Sequence, residues 1–310
     1  AIKGKDNVNI FVLHPNNRIS PVQRKLMTTG KEKNVFNIAV EGNFDDCQNL
    51  VKAMFADKLF TNEIKMSGVN SINWARIISQ SVYYFYSYFF IENDNNPINF
   101  SVPTGNFGDV YAGYLAKKIG LPINKFVVAT NQNDILHRAI SKGSYNIENV
   151  LETISPSMDI QLASNFERLI YDLKDHNDEK TIEAMKSIKE KGQYVIDKKS
   201  LDKINIDFLS SRMNEDEVLK TIKTVYEKFD IVLDPHSAIG YGAFDKVKLK
   251  GNNIVLATAH PCKFPDAIEK AISLKVELPN ELAFILNEKE NYDIIENNLT
   301  KIKEYIRERI

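Results

Sequence analysis

Apolar and polar positions along the first third of the chain follow a strand–helix rhythm. Residues 9–13 (NIFVL) are a short apolar run stopped by His14-Pro15-Asn16-Asn17. Ser20 then fits an N-cap with Pro21 at the first helical position, and that helix runs to about Thr28. Residues 35–40 (VFNIAV) read as the next strand. Asn43 or Phe44 starts a helix whose Leu50, Val51, Met54 and Phe55 fall at helical spacing. A βαβα succession means a parallel sheet with crossover helices.

A second α/β block follows. The pattern predicts a helix over 81–90, a break at Asn96-Pro97, a strand over 98–102, a loop over 103–109 and a helix over 110–119. Gly120 closes that helix, Pro122 lies just beyond, and 125–130 (KFVVAT) is the following strand. Residues 172–216 are highly charged and read as solvated surface helices, a helical insertion with no chemistry attached. The last block predicts a strand at 231–233, a helix at 235–244, a strand at 253–257 and a helix at 265–272, with an amphipathic helix over 292–310. No internal repeat or low-complexity linker is visible.

Composition narrows the function classes. A length of 310 residues suits two domains at roughly 100–200 residues each, and 43% hydrophobic with 26% charged residues suits a packed core. Forty basic against 41 acidic residues, a net charge of −1, argue against a nucleic-acid binder or a polybasic membrane anchor. The most apolar run, 81–91 (SVYYFYSYFFI), is shorter than the ~20 residues of a membrane span and reads as a buried core helix. Cys47 and Cys262 form no CxxC pair, and His14, His137, His176, His236 and His260 are scattered. Neither a disulfide framework nor a metal site is expected, and a cytoplasmic location follows from the absence of a visible signal peptide. The chain opens on Ala1-Ile2-Lys3-Gly4 without methionine and enters an apolar run almost at once, so it reads as the continuation of something upstream.

Five stretches carry candidate chemistry. Pro103-Thr104-Gly105-Asn106-Phe107-Gly108-Asp109 lies between a strand and a helix. It is either an anion cradle, with N–H groups converging at a helix start, or an ordinary turn whose glycines serve positive φ. Thr258, in Leu256-Ala257-Thr258-Ala259-His260-Pro261, falls at the carboxyl end of a strand read as buried, where α/β sheets bind ligands; it either meets a ring nitrogen or caps a turn. Asp234-Pro235-His236-Ser237 suggests a hydrolase triad, but no GxSxG elbow exists and an Asp234 cap with Pro235 at the first helical position explains most of it. Ser164 and Glu167 have capping-box spacing, which leaves Asp159 and Arg168 as polar candidates. Around the single tryptophan, Trp74, residues Asn70, Ser71 and Asn73 either cap a helix or hold a substrate, and Arg76 either binds an anion or pairs at the surface.

Taken in order, the segments NVNIFVLHP, ISPVQRKLMTT, VEGNFDDCQ, NSINWARIISQSVYYFY, PTGNFGDVYAGYLAKKIGLP, ATNQNDIL, SPSMDIQLASNFERL, DPHSAIGYGA and TAHPCKFPDAI resemble the threonine synthases over residues 6–268. The resemblance implies a fold type II, tryptophan-synthase-β-like α/β protein of two parallel-sheet domains: a smaller mobile one over 1–80 and a larger one over 81–310 that binds pyridoxal 5'-phosphate. It implies a carbon–oxygen lyase that turns O-phospho-L-homoserine and water into L-threonine and phosphate. Gly105, Asn106, Phe107, Gly108 and Asp109 would cradle the cofactor phosphate and Thr258 would meet its ring nitrogen. Asn70, Ser71, Asn73, Arg76, Asp159 and Arg168 are the candidates for substrate contact. The family's Schiff-base lysine is expected upstream of Ala1, since Lys263 fits the TAHP-x-KF pattern instead, and the chain alone is then expected to be inactive. Cys262 and Ser237 stand where alanine and threonine are expected. The expected assembly is a monomer or homodimer without nucleic acid or membrane. The alternatives are another lyase of the same fold, or a non-catalytic relative or fragment that binds phosphate-bearing ligands.

Overall fold

The computed structural model describes residues 4–19, 21–91 and 96–310. Its first elements are β1 (Ile10–Pro15), α1 (Pro21–Thr28), β2 (Val35–Glu41), α2 (Phe44–Ala56), α3 (Lys58–Glu63) and α4 (Trp74–Phe89). The middle of the chain gives β3 (Ile98–Pro103), α5 (Gly108–Ile119), β4 (Ile123–Thr130), α6 (Ile135–Lys142), β5 (Ser144–Asn146), α7 (Phe166–Leu173), α8 (Asp178–Lys191) and β6 (Gln193–Val195). There follow α9 (Lys198–Asp207), β7 (Phe208–Arg212), α10 (Glu215–Phe229), α11 (Pro235–Val247), β8 (Asn252–Val255), α12 (Pro265–Ile272), β9 (Asp293–Glu296) and α13 (Leu299–Arg307).

Two compact units result. The first combines the residues up to Ser67 with Glu277–Ile310, and the second is Gly68–Val276. The expected division at residue 80 falls inside α4, because Asn73 caps that helix by accepting from the Ala75 N–H. In the first unit β1, β2 and β9 form a parallel sheet in that order. Ile38 and Val40 of β2 meet Cys47, Leu50 and Met54 of α2 and Ile302 and Ile306 of α13 in one core. The stretch 292–310, expected as one helix, is therefore a strand and a helix. Asp293–Glu296 completes the ladder on β2, and Asn298 accepts from the Thr300 and Lys301 N–H groups to start α13. Ser20, the expected cap of α1, lies outside the described residues.

The second unit holds a parallel sheet in the order β7-β4-β3-β8 and a small antiparallel pair, β5-β6. Alternation along β4 feeds two cores. Phe126 and Val128 join Tyr84, Phe100 and Phe107 on one face, while Val127 and Ala129 join Ile222, Ala238 and Ile239 on the other. That double burial is what a parallel sheet between helix layers requires. Three expectations change here. The charged stretch 172–216 contains β7, paired in register with Phe126–Thr130, and buries Ile188, Ile204 and Met213. Residues 231–233 form no strand: Asp230 ends α10 in the left-handed region and Asp234 caps α11 four residues later, leaving no room for a ladder. The aromatic run of α4 is one-sided. Ile77, Ser81 and Tyr84 are buried, whereas Tyr86, Phe89 and Phe90 are 64–75% exposed. Among the described residues no helix is long and apolar enough to cross a membrane.

Helices α4 and α5 meet at Gly113 and Asp109. A β-carbon on Gly113 would lie 2.4 Å from Tyr84 and 2.7 Å from Phe126. Gly113→Ala is therefore expected to destabilise the protein by about 1–3 kcal/mol through overpacking, although alanine in an open helix gains about 1 kcal/mol over glycine. Urea unfolding reads the sign. The Tyr84 hydroxyl donates to the Asp109 carbonyl at 2.9 Å and to its Oδ1 at 3.1 Å. Burial pushes the Asp109 carboxyl up to about 6, against the opposing pull of the Tyr84 bond. Its folded value exceeds its unfolded value, so this contribution to stability is complete below about pH 4 and is lost as pH rises through about 6. Asp109→Asn is expected to remove a fall of about 1–3 kcal/mol across that window, measured by urea unfolding at a series of pH values.

Candidate functional site

The loop from β3 to α5 is fixed at its base by two bonds. The Thr104 N–H donates to the Ala129 carbonyl at 2.8 Å, and the Thr104 hydroxyl donates to the Val102 carbonyl at 2.6 Å. The turn itself is made by Phe107, which caps α5 at φ 69°. A bulky residue is strained there, and its ring holds it by packing edge-on to Phe166 at 5.2 Å and beside Phe208 at 5.9 Å. Neither Gly105 nor Gly108 has positive φ, so the turn reading of these glycines is replaced by close approach. A β-carbon on Gly105 would sit 2.8 Å from the Ser157 carbonyl oxygen, and one on Gly108 would sit 3.0 Å from Asn106 Oδ1.

Asn106 knits the loop to its surroundings. Its Oδ1 accepts from the Gly108 N–H at 2.8 Å, its Nδ2 donates to Ser71 Oγ at 3.0 Å, and its carbonyl accepts from the Asn165 N–H at 3.0 Å. Among the described residues no protein acceptor takes the N–H groups of Asp109 and Val110 in the first turn of α5. With the positive end of the helix dipole, these donors make the loop suited to an anion. The Asp109 carboxylate is held by Tyr84.

The facing wall comes from two other elements. Residues 156–158 form a short 3-10 turn that ends at Asp159. Asp159 Oδ1 accepts from Thr153 Oγ1 at 2.6 Å, Asn131 Nδ2 at 2.7 Å and Asn133 Nδ2 at 3.0 Å; Oδ2 accepts from the Thr153 N–H at 2.8 Å. Burial pushes its pKa up in spite of these bonds. At the start of α11, Asp234 accepts from the His236 ring and from Ser237, and the Ser237 hydroxyl accepts from the Thr258 N–H at 3.1 Å. Burial favours a neutral Asp234, but the His236 and Ser237 bonds hold its pKa below the usual carboxylate value. Pro103, Gly105, Asn106, Ser157, Met158, His236, Thr258 and Ala259 line a solvent-open cavity of about 160 Å³.

The structure thus brings Gly105, Asn106 and Thr258 onto one cavity. Thr258 lies three residues past the end of β8, which is an edge strand of the described sheet rather than the buried strand expected. The substrate candidates divide by contact. Ser71 Oγ accepts from Asn106 and from Asn165, so it touches the loop directly. Asn70 Oδ1 accepts from the Ile72 N–H and Asn73 caps α4. Arg76 is exposed and reaches the Val69 carbonyl at 3.3 Å. Arg168 donates to Asn165 and to the Ile72 carbonyl and lies 5.4 Å over the Trp74 ring. Ser164 is not the cap of α7; the N-cap position is one residue later, at Asn165. Sequence reasoning missed Ser157, Met158 and His236 as lining residues, although each sat in a stretch it singled out. Asn165, in the stretch that holds Ser164 and Glu167, was given no role.

The family model described as "Threonine synthase, C-terminal" matches residues 237–306. The threonine synthase of Pseudomonas aeruginosa is 44% identical over 304 residues, which are 97% of this chain and 65% of that protein. Among solved structures, the pyridoxal-phosphate-bound threonine synthase of Brucella melitensis superposes with a TM-score of 0.94 at 45% identity, over 100% of this chain and 67% of that one. Yeast threonine synthase gives a TM-score of 0.90 at 40% identity, over 99% and 66%. The chain spans about two thirds of the length of these relatives (65% of the Pseudomonas protein). With such likeness along its whole length, in sequence and in fold, this chain belongs to the threonine synthase family.

Proposed function

We propose that the protein containing this chain is a carbon–oxygen lyase that converts O-phospho-L-homoserine and water to L-threonine and phosphate, and that the cavity of the second unit holds pyridoxal 5'-phosphate. The observation that carries this reading is the pairing of the α5 loop and Thr258 on one cavity. The reading also includes a cytoplasmic enzyme of threonine biosynthesis, acting on a small molecule as a monomer or homodimer.

The residues suit the group. A phosphate needs converging N–H donors and no carboxylate facing it. The cavity lining contains no Asp or Glu, and the Asp109 carboxylate is engaged by Tyr84. Thr258 offers a neutral hydroxyl, able to donate to a ring nitrogen without requiring it to be charged. Its backbone is anchored on Ser237 at the cavity. Met158 supplies an apolar surface to the lining. The Brucella relative binds pyridoxal phosphate in a fold that this chain matches throughout. When bound, the cofactor supplies an electron sink for negative charge on substrate carbons.

The chain's own share of the work is binding and orientation. The loop from Gly105 into the first turn of α5 would hold the phosphate end, Thr258 would set the ring, and Ser71 stands beside the loop, where it can meet a substrate polar group. The lining carries no lysine, so the chain as it stands is expected to bind the cofactor without turnover.

Two measurements test the reading. A longer protein containing this chain, assayed with pyridoxal phosphate and O-phosphohomoserine, is expected to release threonine and phosphate in equal amounts. No release from a folded protein would leave the family as a statement of fold alone. Thr258→Val, which keeps the shape and removes the hydroxyl, is expected to weaken pyridoxal phosphate binding about fivefold to tenfold, the equivalent of one hydrogen bond. Unchanged affinity in a fluorescence titration would remove Thr258 from the site.

A further inference from the structure

We propose that Asp234 is the positioning residue of the cofactor cavity: one buried carboxylate sets both of its walls, through His236 on one side and Ser237 on the other. The proposal rests on the reading that this cavity holds pyridoxal phosphate.

Asp234 is 1% exposed and divides its two oxygens between two arms. In the first arm Oδ1 lies 3.0 Å from His236 Nδ1, and His236 Nε2 lies 3.3 Å from the Ser157 backbone nitrogen. A backbone N–H can only donate, so Nε2 is the acceptor and Nδ1 carries the proton. The carboxylate thus selects the one neutral tautomer that can support the Ser157 turn. Phe264 braces the ring at 4.8 Å. The Ser157 carbonyl in turn lies against Gly105, at 2.8 Å from where a β-carbon would stand. The spacing of the phosphate end is thereby tied to Asp234.

In the second arm the Ser237 hydroxyl donates to Oδ2, which leaves its lone pairs to accept the Thr258 N–H at 3.1 Å. This bond matters because the β-ladder has already ended. Its last rung is the Leu256 N–H to the Ser101 carbonyl at 3.0 Å. Beyond that rung, Ser237 is what places Thr258.

A helix cap alone does not require this arrangement. Capping is fulfilled by the bonds from the His236 and Ser237 backbone N–H groups, at 2.9 and 3.4 Å. The two side-chain bonds go further, and both end on cavity residues. Serine at position 234 would still cap α11, but its single short oxygen cannot serve both arms, so Asp234→Ser separates positioning from capping.

The experiment compares the chain with Asp234→Ser, His236→Phe and Ser237→Ala by amide hydrogen exchange, nitrogen-15 NMR of His236 and titration with pyridoxal phosphate. His236→Phe, which keeps the ring against Phe264, is expected to release the Ser157 amide alone. Ser237→Ala is expected to release the Thr258 amide alone. Asp234→Ser is expected to release both, to mix the His236 tautomers, and to weaken pyridoxal phosphate binding about tenfold, as loss of supporting hydrogen bonds does, while thermal unfolding stays cooperative. Unchanged exchange and tautomer in Asp234→Ser would overturn the proposal, as would a lower melting temperature with unchanged affinity. A chain that binds no pyridoxal phosphate in its native form would defeat the functional reading; the exchange and tautomer data would then decide by themselves whether Asp234 holds the two walls.

Discussion

The packing of one aromatic ring governs the geometry of the site. Phe107 adopts a left-handed backbone conformation that a side chain of its size ordinarily avoids. It is kept there because its ring is fully buried against Phe166 and Phe208, from α7 and β7. That turn joins the end of β3 to the start of α5 and sets where the first N–H groups of the helix begin. The core and the proposed anion cradle thus share one residue. The edges of the loop are fixed from outside, by Thr104 on β4 and by Asn165 on the Asn106 carbonyl.

Around this turn the walls are built from polar groups with matched partners. Asp159 satisfies four donors from the 131–133 and 153 segments, and Asp234 satisfies His236 and Ser237. Carboxylates withdrawn from water are costly when alone and rigid when fully bonded; Asp234 is buried and Asp159 half-buried. Both are fully bonded here, and both stand behind the lining rather than in it. The cavity surface itself is left with hydroxyl, amide, imidazole and thioether groups, without a carboxylate to repel a phosphate.

Much of the architecture was readable in the sequence where periodicity was strong and breakers were clear. The β1–α1–β2–α2 succession and the α5 and α12 helices follow their apolar spacing closely. The misses have physical causes. β7 (FLSSR) is an edge strand with polar residues and sits among charged helices, so it has no apolar run to reveal it. Val232 and Leu233 are apolar because they pack over a core, which a loop can also do. In the site, the spacing Gly-Asn-Phe-Gly marked the loop correctly but not the reason for its glycines. Close approach to Ser157 is a contact across 52 positions, and no local pattern encodes it. His236 was hidden for a similar reason. Asp234 and Pro235 explain the segment as a helix start, and only the fold shows that the histidine behind them faces a cavity. Of the residues the family resemblance assigned to the cofactor, Gly105, Asn106 and Thr258 line the cavity while Phe107, Gly108 and Asp109 do not, and the structure adds what holds them.

The most direct test of the central claim is a crystal structure of the chain soaked with pyridoxal 5'-phosphate. The account predicts the phosphate against the backbone N–H groups of the Gly105–Asp109 loop, with the ring nitrogen at the Thr258 hydroxyl. A cofactor bound elsewhere, with that loop and Thr258 untouched, would contradict it.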